Sequence, residues 1–428
     1  MIILYDLTRI FLRKKAHAAT GIDRVDINYC MQIIQLGLPV CFLVGKGSKF
    51  LVLSKKQAVG TISSVAQRWG GLTINHDDNI VNDSYSTFND LISKDNAYIY
   101  INISHNYLRG HGDLIRLALS DKAKFIYYCH DLIPIDYPEY VNFNGLRKHK
   151  LFIKFILEAS TTIIVNSKYT LSRLKKFAIE NQCRIPNIKV IEIGVESNLT
   201  DISWQATDHH EHFIYISTFE PRKNHILLFL CWKKLYEILG KSTPKLLFIG
   251  KYGWSMDWLK EYIDKEPNIK NLIQCIENAS DDTVKQLMIT SYASLNPSYV
   301  EGWGMSAVES LAIGVPTVCS DIPAYRESTK GKAFYLSPLN VEEWISLILE
   351  ILKGKHIPRQ DIKLQTWEKH FESFRLTLAS LSCERRDKKR VLVLADEMKS
   401  LYREIGLYNF KSAIVKFINT KLQWFLIN

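Results

Sequence analysis

Short apolar runs alternate with longer amphipathic segments along the chain, and this alternation predicts strands and helices in turn. Many of the runs are rich in β-branched and aromatic residues, which is typical of parallel strands buried on both faces. The first series of predicted strands is Ile2–Tyr5, Val40–Val44, Tyr98–Ile103, Lys124–Cys129, Thr162–Val165 and Val190–Ile193. The second series is Phe213–Ser217, Leu246–Gly250, Leu272–Ile276, Ala293–Asn296 and Thr317–Ser320. The pattern predicts an α/β protein with two doubly wound, Rossmann-like domains.

A polar stretch separates the two series of strands and predicts a linker between two domains of similar size. Its histidines, His209 and His210 with His212 just beyond, could form a metal site, although a solvated linker is the simpler interpretation. The predicted units are an N-terminal domain at 1–197, a linker at 198–211, a C-terminal domain at 212–379 and a helical tail at 380–428. Two such domains enclose a cleft between the carboxyl ends of their strands, where ligands bind.

The predicted tail starts with a basic run and continues as two helix-like segments, 391–405 and 410–427. One face of the last segment is apolar and the other is polar. This pattern fits a helix on a membrane surface, packing on the protein's own body, or packing on a second subunit of a homo-oligomer.

Composition narrows the class of protein. The chain of 428 residues is 47% hydrophobic and 23% charged, which is ordinary for a folded protein and excludes wholesale disorder. The eight cysteines include no CxxC pair, so free thiols in a reducing compartment are expected. The first residues lack the features of a secretory signal, and no uncharged apolar run reaches 18 residues, so a cytoplasmic location is expected. The net charge of +11 falls mostly in residues 1–200 and fits nucleic acid, an anionic membrane or a phosphate-bearing substrate.

A loop containing two glycines gives the strongest indication of chemistry. Gly302 and Gly304 precede a helix predicted over 306–313, and the amides of such a loop and helix start can bind phosphate. Glu301 lies in the loop, and Glu309 is predicted in the first turn of the helix. Both carboxylates can accept hydrogen bonds from sugar or ribose hydroxyls, although either one alone could be a surface acid or a partner of the helix dipole.

Two other predicted strand ends carry polar side chains. Thr218, Arg222 and Lys223 follow the first strand of the second series, where cations can neutralise a diphosphate leaving group. His130 follows the strand Lys124–Cys129 and can donate or accept a hydrogen bond near neutral pH. Taken singly, the cations could be an exposed basic turn and the histidine a structural residue.

Together these strings resemble glycosyltransferase family 4, whose members are retaining enzymes with the GT-B fold. The resemblance covers roughly residues 2–375 and leaves the tail outside. Pro297-Ser298 with Glu301-Gly302-Trp303-Gly304-Met305-Ser306 and Glu309 resembles the donor-site motif of two glutamates separated by seven residues. Three further strings also resemble family motifs: Ser-Thr-Phe-Glu-Pro-Arg-Lys-Asn at 217–224, His-Asp-Leu-Ile-Pro at 130–134 and Thr-Gly-Ile-Asp-Arg-Val at 20–25.

The resemblance implies a role for each of these residues. Glu301 would hold hydroxyls of the donor sugar, Glu309 the ribose of the nucleotide, and His130 would lie beside the sugar. Lys223 would contact the donor phosphate, and Arg222 would substitute for an arginine that many relatives carry where this chain has Ser217-Thr218. The backbone would approach the sugar and diphosphate at Gly21, Gly302, Trp303, Gly304, Met305 and Ser306.

The resemblance also implies the reaction: transfer of a hexose, with retention, from a nucleotide sugar to a glycan or undecaprenyl-diphosphate-linked acceptor in bacterial surface polysaccharide or lipopolysaccharide synthesis. GDP-mannose is the first candidate for the donor, and dTDP-rhamnose and a UDP-hexose remain open. No cofactor is implied, and because the chain has no Asp-x-Asp triplet, independence of a metal is expected. The basic N-terminal domain would bind the acceptor and contact the anionic inner membrane peripherally.

Three alternatives remain. One is a non-catalytic scaffold of the same fold, although the presence of Glu301, Glu309, Lys223 and His130 argues against lost activity. A GT-B sugar epimerase or phosphorylase would share the fold and the donor site. A basic nucleic-acid-binding protein would explain the charge, but the sequence has no evident basic recognition helix or basic patch interleaved with aromatic residues, so no nucleic-acid partner is expected.

Overall fold

The computed structural model describes residues 1–70, 78–105, 109–196, 204, 210–254, 256–354, 362–381 and 386–405. Strands and helices alternate within residues 1–196, which we call the N-terminal lobe. Its strands are β1 (Ile2–Asp6), β2 (Val40–Lys46), β3 (Lys49–Val52), β4 (Tyr98–Asn102), β5 (Ala123–Cys129), β6 (Thr162–Val165) and β7 (Asn187–Val190). Its helices are α1 (Thr8–Arg13), α2 (Gly21–Gln35), α3 (Lys55–Gly70), α4 (Phe88–Ser93), α5 (His111–Leu119), α6 (Ile133–Asp136), α7 (Phe143–Ala159) and α8 (Lys168–Glu180).

Residues 210–354, which we call the C-terminal lobe, repeat this alternation. The strands are β8 (His212–Ile216), β9 (Lys245–Ile249), β10 (Ile273–Ile276), β11 (Ser291–Asn296), β12 (Thr317–Ser320) and β13 (Phe334–Leu336). The helices are α9 (His225–Leu239), α10 (Asp257–Lys265), α11 (Asp281–Ile289), α12 (Met305–Ile313), α13 (Pro323–Ser328) and α14 (Val341–Leu352), followed beyond the lobe by α15 (Trp367–Ala379).

Each lobe is built on one twisted sheet. The order of strands is β3-β2-β1-β4-β5-β6-β7 in the N-terminal lobe and β10-β9-β8-β11-β12-β13 in the C-terminal lobe. Neighbouring strands are parallel except for β3, which is antiparallel to β2. The order reverses at β1/β4 and at β8/β11, and such a switch point opens a crevice at the carboxyl ends of the strands. The predicted class, two doubly wound α/β domains, is therefore confirmed.

The sequence pattern locates the central strands and the edge strand β10 well, and the other edge strands poorly. β1 and β4 are buried along their whole length, so their apolar runs are continuous. The strand expected at Val190–Ile193 is wrong in position: β7 ends at Val190, and the buried apolar residues after it belong to a connecting segment. β3 and β13 were not predicted, because both are short and their burial alternates or is partial.

The end of the described chain packs back on the N-terminal lobe. From α15, Trp367, Phe371 and Phe374 join the apolar core beside Tyr29. Residues 388–405 form a helix, close to the predicted segment 391–405, and its apolar side completes the core on the other face of the first sheet. The described part of the tail thus packs on its own body, whereas the predicted segment 410–427 lies outside the described residues. The predicted domain boundaries remain predictions.

The linker histidines have structural contacts where they are described. His212 begins β8 and its Nε2 lies 2.9 Å from the carbonyl oxygen of Leu287. His210 stacks on Trp204, whereas His209 lies outside the described residues. Among the residues that the structure describes, no group of histidine, cysteine and acidic side chains could hold a metal ion, and no helix could cross a membrane.

Candidate functional site: a cleft between two lobes

The two lobes approach each other at backbone distance along the cleft. A Cβ placed on Gly302 would lie 2.9 Å from the carbonyl oxygen of His130, across the cleft. A Cβ on Gly21 would lie 3.1 Å from Sδ of Met305, at the start of α12. The loops carrying the predicted site residues therefore face one another, and the structure brings most of these residues together.

Glu301 is the centre of an ion-pair cluster. Its carboxylate is 6% exposed and forms an ion pair with Nζ of Lys223. The Arg222 guanidinium donates to the other carboxylate oxygen at 3.1 Å and to Glu220 at 3.0 Å. The cations follow β8 and the glutamate follows β11, so the cluster lies at the switch point of the second sheet.

These contacts keep Glu301 ionised. Burial alone would raise the pKa of its carboxyl, but the charges of Lys223 and Arg222 outweigh this effect and lower the pKa to about 2. Burial, together with the neighbouring Arg222, lowers the pKa of Lys223. Burial also raises the pKa of Asp131, which lies against Gly302 from the opposite lobe.

A buried hydroxyl network supports Glu301 from below, and the sequence analysis missed it. Ser298 donates to Oε1 of Glu301 at 2.8 Å. The hydroxyls of Tyr215 and Tyr325 lie 3.1 and 3.2 Å from the Ser298 oxygen. Because Tyr215 also donates to the carbonyl of Lys223, at 2.9 Å, one network fixes both members of the ion pair. Tyr215 lies in the apolar run of β8, and Tyr325 lies in a short helix that carries no motif, so no local signal marked either as a support for a carboxylate.

The glycine loop has the expected form, with differences in detail. α12 begins at Met305, so Glu309 lies in its second turn and not in the first. Gly304 has φ of +86°, and a Cβ there would overlap the ring of Tyr325. The side chain of Trp303 is buried in the apolar core, so only its backbone is available to a ligand. Ser306 does not cap the helix, and its hydroxyl donates instead to Asn296 at 3.1 Å.

His130 lies on the N-terminal side of the cleft. It is 4% exposed, and its Nε2 lies 2.7 Å from the carbonyl oxygen of Ile103. Because a carbonyl only accepts, Nε2 carries the proton and Nδ1 carries the lone pair. Burial lowers the pKa of His130 to about 4, so the ring is neutral at pH 7. His105, which was not predicted, accepts a hydrogen bond from the backbone N–H of His130 at 3.3 Å.

Glu309 lies apart from Glu301, next to Arg24 of the opposite lobe. Burial raises the pKa of Glu309, and the charge of Arg24 opposes this effect. Arg24 donates to both carboxylate oxygens of Asp281 at 2.6 and 2.9 Å, across the cleft. Arg24 therefore links α2 to α11 and faces Glu309 as well.

The loop before α2 forms a second helix start at the cleft. Thr20 and Asp23 cap this end reciprocally, and Arg9 and Arg13 both bind Asp23. From the C-terminal lobe, Lys251 donates to the carbonyl of Ala18 at 3.0 Å. The predicted Gly21 thus lies in a cationic neighbourhood that suits an anion.

Thr218 is a predicted site residue that takes no part in the ion-pair cluster of Glu301. It is partly exposed, and within the described chain its side chain makes no hydrogen bond. Its methyl group lies beside Gly253, where an added Cβ would be 3.2 Å away. Position after β8 is thus what connects Thr218 with the site.

The fold and the site define a class of protein: two Rossmann-like lobes with a charged cleft, the GT-B arrangement. Sucrose-phosphate synthase of Thermosynechococcus elongatus has a similar fold, with a TM-score of 0.58 and 14% identity over 95% of this chain and 100% of that one. The lipopolysaccharide outer core galactosyltransferase WaaB gives a TM-score of 0.52 and 14% identity, covering 89% and 99% of the two chains.

Sequence comparison makes the assignment more specific. Residues 201–366 match the family model described as glycosyl transferases group 1. The chain is 25% identical to the serotype-specific mannosyltransferase WbdA of Escherichia coli over 307 residues, 66% of this chain and 37% of that protein. It is 26% identical to the O-antigen chain mannosyltransferase RfbU of Salmonella typhimurium over 224 residues, 52% of this chain and 59% of that protein. The chain thus contains a glycosyltransferase group 1 domain, and the matches span between about one third and three fifths of these relatives.

Proposed function

We propose that the protein is a retaining, metal-independent glycosyltransferase that moves a hexose from a nucleotide sugar to a glycan or lipid-linked glycan during bacterial surface polysaccharide synthesis. The observation that carries this proposal is the buried cluster of Glu301, Lys223 and Arg222 at the switch point of the C-terminal lobe. The mannosyltransferase names of the sequence relatives support it and favour GDP-mannose as the donor.

The cluster supplies the charges that the reaction needs. Lys223 and Arg222 neutralise Glu301 in this structure, and the same cations can turn to a diphosphate that enters the cleft. Glu301 then accepts hydrogen bonds from hydroxyls of the donor sugar, still supported by Ser298. As the bond between the anomeric carbon and the diphosphate oxygen breaks, the electron pair leaves with the diphosphate, and the two cations stabilise the developing negative charge. The acceptor hydroxyl oxygen forms the new bond to the anomeric carbon on the same face of the sugar, and its proton passes to the departing diphosphate. This arrangement supports a reaction without a metal ion.

The opposite wall of the cleft would hold the sugar. His130 is neutral, so its Nδ1 can accept a hydrogen bond from a sugar hydroxyl and can face the positive charge that develops on the ring. The amides at the start of α12 and the nearby Gly21 would approach the diphosphate. Glu309, in the second turn of α12, would bind the ribose, and Arg24 would balance the charge of Glu309.

The location that we propose is the inner face of the cytoplasmic membrane. α7 begins with Phe143, whose side chain is 72% exposed. Lys148, Lys150 and Lys154 follow on the same helix, while Arg147 pairs with Glu404 of the last described helix. An exposed aromatic residue next to several lysines suits a negatively charged lipid surface. Such a surface attracts each nearby lysine by about 1 kcal/mol.

A screen of nucleotide sugars tests the proposed reaction. GDP-mannose, dTDP-rhamnose and UDP-hexoses would each be added to the purified protein in a thermal-shift assay. A true donor at 100 times its Kd stabilises the folded state by about 2.7 kcal/mol. Lys223→Ala should abolish this shift, and the exposed Lys234→Ala should preserve it as a matched control.

Product analysis decides between transfer and the alternatives. NMR of the glycan formed from an α-linked donor should show an α linkage. If the donor is isomerised, or cleaved by free phosphate without transfer to a glycan, the protein is an epimerase or a phosphorylase. If no nucleotide sugar stabilises the protein or is consumed, the proposed function is wrong.

A further inference from the structure

Three partly exposed tyrosines, which we call the tyrosine array, join the two lobes beside the cleft. The rings of Tyr137 and Tyr140 are 6.4 Å apart between centroids and 28° from parallel. Tyr140 then stacks on Tyr299 of the C-terminal lobe, with centroids 6.1 Å apart and planes within 8°. The array thus presents aromatic surface from both lobes in one place.

The three tyrosines of the array are close in sequence to the residues of the candidate site. Tyr137 and Tyr140 lie in the segment that follows His130 and Asp131. Tyr299 lies between Ser298, which donates to the Glu301 carboxylate, and Glu301 itself. A molecule resting on the array is therefore next to the place where the donor sugar would react.

Backbone hydrogen bonds fix the main chain at each residue of the array. The N–H of Tyr137 donates to Ile133 at 2.9 Å, and that of Tyr140 donates to Tyr137 at 3.1 Å. The N–H of Tyr299 donates to the carbonyl of Arg222 at 2.9 Å, which ties its position to the ion-pair cluster. With the main chain fixed and the rings stacked on one another, the tyrosines lose little entropy when a ligand arrives.

Exposure distinguishes these rings from the tyrosines of the core. Tyr5, Tyr100 and Tyr127 are fully buried, as are Tyr215 and Tyr325 below Glu301. The three rings of the array are neither fully buried nor fully exposed, so each keeps part of its surface for a ligand. Packing of the core therefore does not account for them.

We propose that Tyr137, Tyr140 and Tyr299 form a stacking platform for a pyranose ring of the acceptor glycan, an inference that rests on the proposed function. The C–H face of a pyranose is apolar and slightly positive, and it packs on the negative face of an aromatic ring. The hydroxyls of Tyr140 and Tyr299 and the exposed carboxylate of Glu139, beside Tyr140, offer partners for the sugar hydroxyls. The cluster of Glu301, Lys223 and Arg222 holds the donor, so the platform serves the second sugar.

Direct binding of oligosaccharides tests the platform. Mannotetraose, a rhamnose tetrasaccharide and chitotetraose would be titrated into the full chain with GDP or UDP present, and the Kd measured by ligand-observed NMR. Tyr140→Ala and Tyr299→Ala should each weaken binding of the preferred oligosaccharide at least tenfold. Tyr140→Phe and Tyr299→Phe, which keep the ring, should stay within about threefold of wild type, as should Tyr262→Ala at an exposed ring on α10.

The donor assay separates this proposal from the proposed function. Thermal stabilisation by the nucleotide sugar should be the same in Tyr140→Ala and wild type. An unchanged oligosaccharide Kd in both alanine variants would overturn the platform while leaving the transferase intact. Three other results would also overturn the platform. The Phe variants could lose oligosaccharide affinity as much as the Ala variants, or wild type could fail to bind any of the three oligosaccharides. A parallel loss of donor binding would mark the rings as a contact between the lobes.

Discussion

Replacing Glu301 with glutamine removes one negative charge and leaves the shape of the side chain almost unchanged. In the folded protein the charges of Lys223 and Arg222 hold the pKa of Glu301 at about 2, below its ordinary value of 4.5. A depression of that size corresponds to about 3 kcal/mol of stabilisation at neutral pH. Because a change of 1 kcal/mol moves the Tm of a unit of 150–250 residues by roughly 2–4 °C, Glu301→Gln should melt about 6–12 °C below wild type.

The pH dependence of this difference is the sharper test. A carboxyl whose pKa is lowered by folding stabilises the protein fully above its unfolded pKa, and the stabilisation disappears as pH falls through the folded pKa. The gap in Tm between wild type and Glu301→Gln should therefore be constant from pH 7 to about 5 and narrow between about 4.5 and 2. Glu237→Gln, at an exposed glutamate paired with Lys234, is the matched control and should leave Tm unchanged.

Transfer activity gives a second measurement on the same variant. Since Glu301 is proposed to bind donor hydroxyls in the reacting complex, Glu301→Gln should lower kcat/KM at least ~100-fold, about 2.7 kcal/mol of barrier. Equal melting temperatures of the two proteins across the whole pH range would refute the electrostatic reasoning. Transfer at the wild-type rate would refute the proposed role of the carboxylate in the site.

Two further predictions follow from the glycine loop and from α7. Gly304→Ala should lower Tm by several degrees and weaken donor binding, because it combines a φ of +86° with overlap of the Tyr325 ring. The control is Gly37→Ala, where φ is +68° and no atom lies within 4 Å of the new Cβ, so that only backbone strain lowers Tm. Equal losses of Tm in the two variants would contradict this reasoning. The protein should sediment with phosphatidylglycerol vesicles at low salt and not with phosphatidylcholine vesicles. The double variant Lys148→Glu, Lys150→Glu should reduce this binding at least tenfold. Sedimentation that does not depend on the charge of the lipid would exclude the proposed membrane-binding surface.

The sequence predicted a structural feature correctly where the residues of a single segment determine it. Central strands such as β1 and β12 are buried on both faces, so the apolar run reveals them. Gly314 ends α12 with φ of +89°, as expected of a glycine after a helix. Polar residues at strand ends, such as His130 and Lys223, were also located correctly, because parallel strands bring these ends to one edge.

Contacts between distant segments were not accessible in the same way. Glu301 and Lys223 are 78 positions apart, and Ser298, in the loop after β11, joins Tyr215 of β8 to Tyr325 of α13. Nothing in the local pattern pairs a particular acid with a particular base or marks a tyrosine as a support for a carboxylate. The side on which a helix packs is equally hidden: the segment predicted at 391–405 gave no indication of which lobe would bury its apolar residues.

The two glycines of the site loop are required for different physical reasons, and this difference explains how the cleft is built. Gly304 needs the left-handed region of φ, whereas Gly302 does not, since its φ is not positive. Gly302 is required by proximity: any side chain there would meet the His130 carbonyl and push the lobes apart. Because Arg24 and Asp281 hold the lobes together elsewhere, that displacement would widen the cleft where His130 faces the loop of Glu301. Gly302 therefore sets the width of the cleft, and Gly304 sets the direction of the loop that carries Glu301.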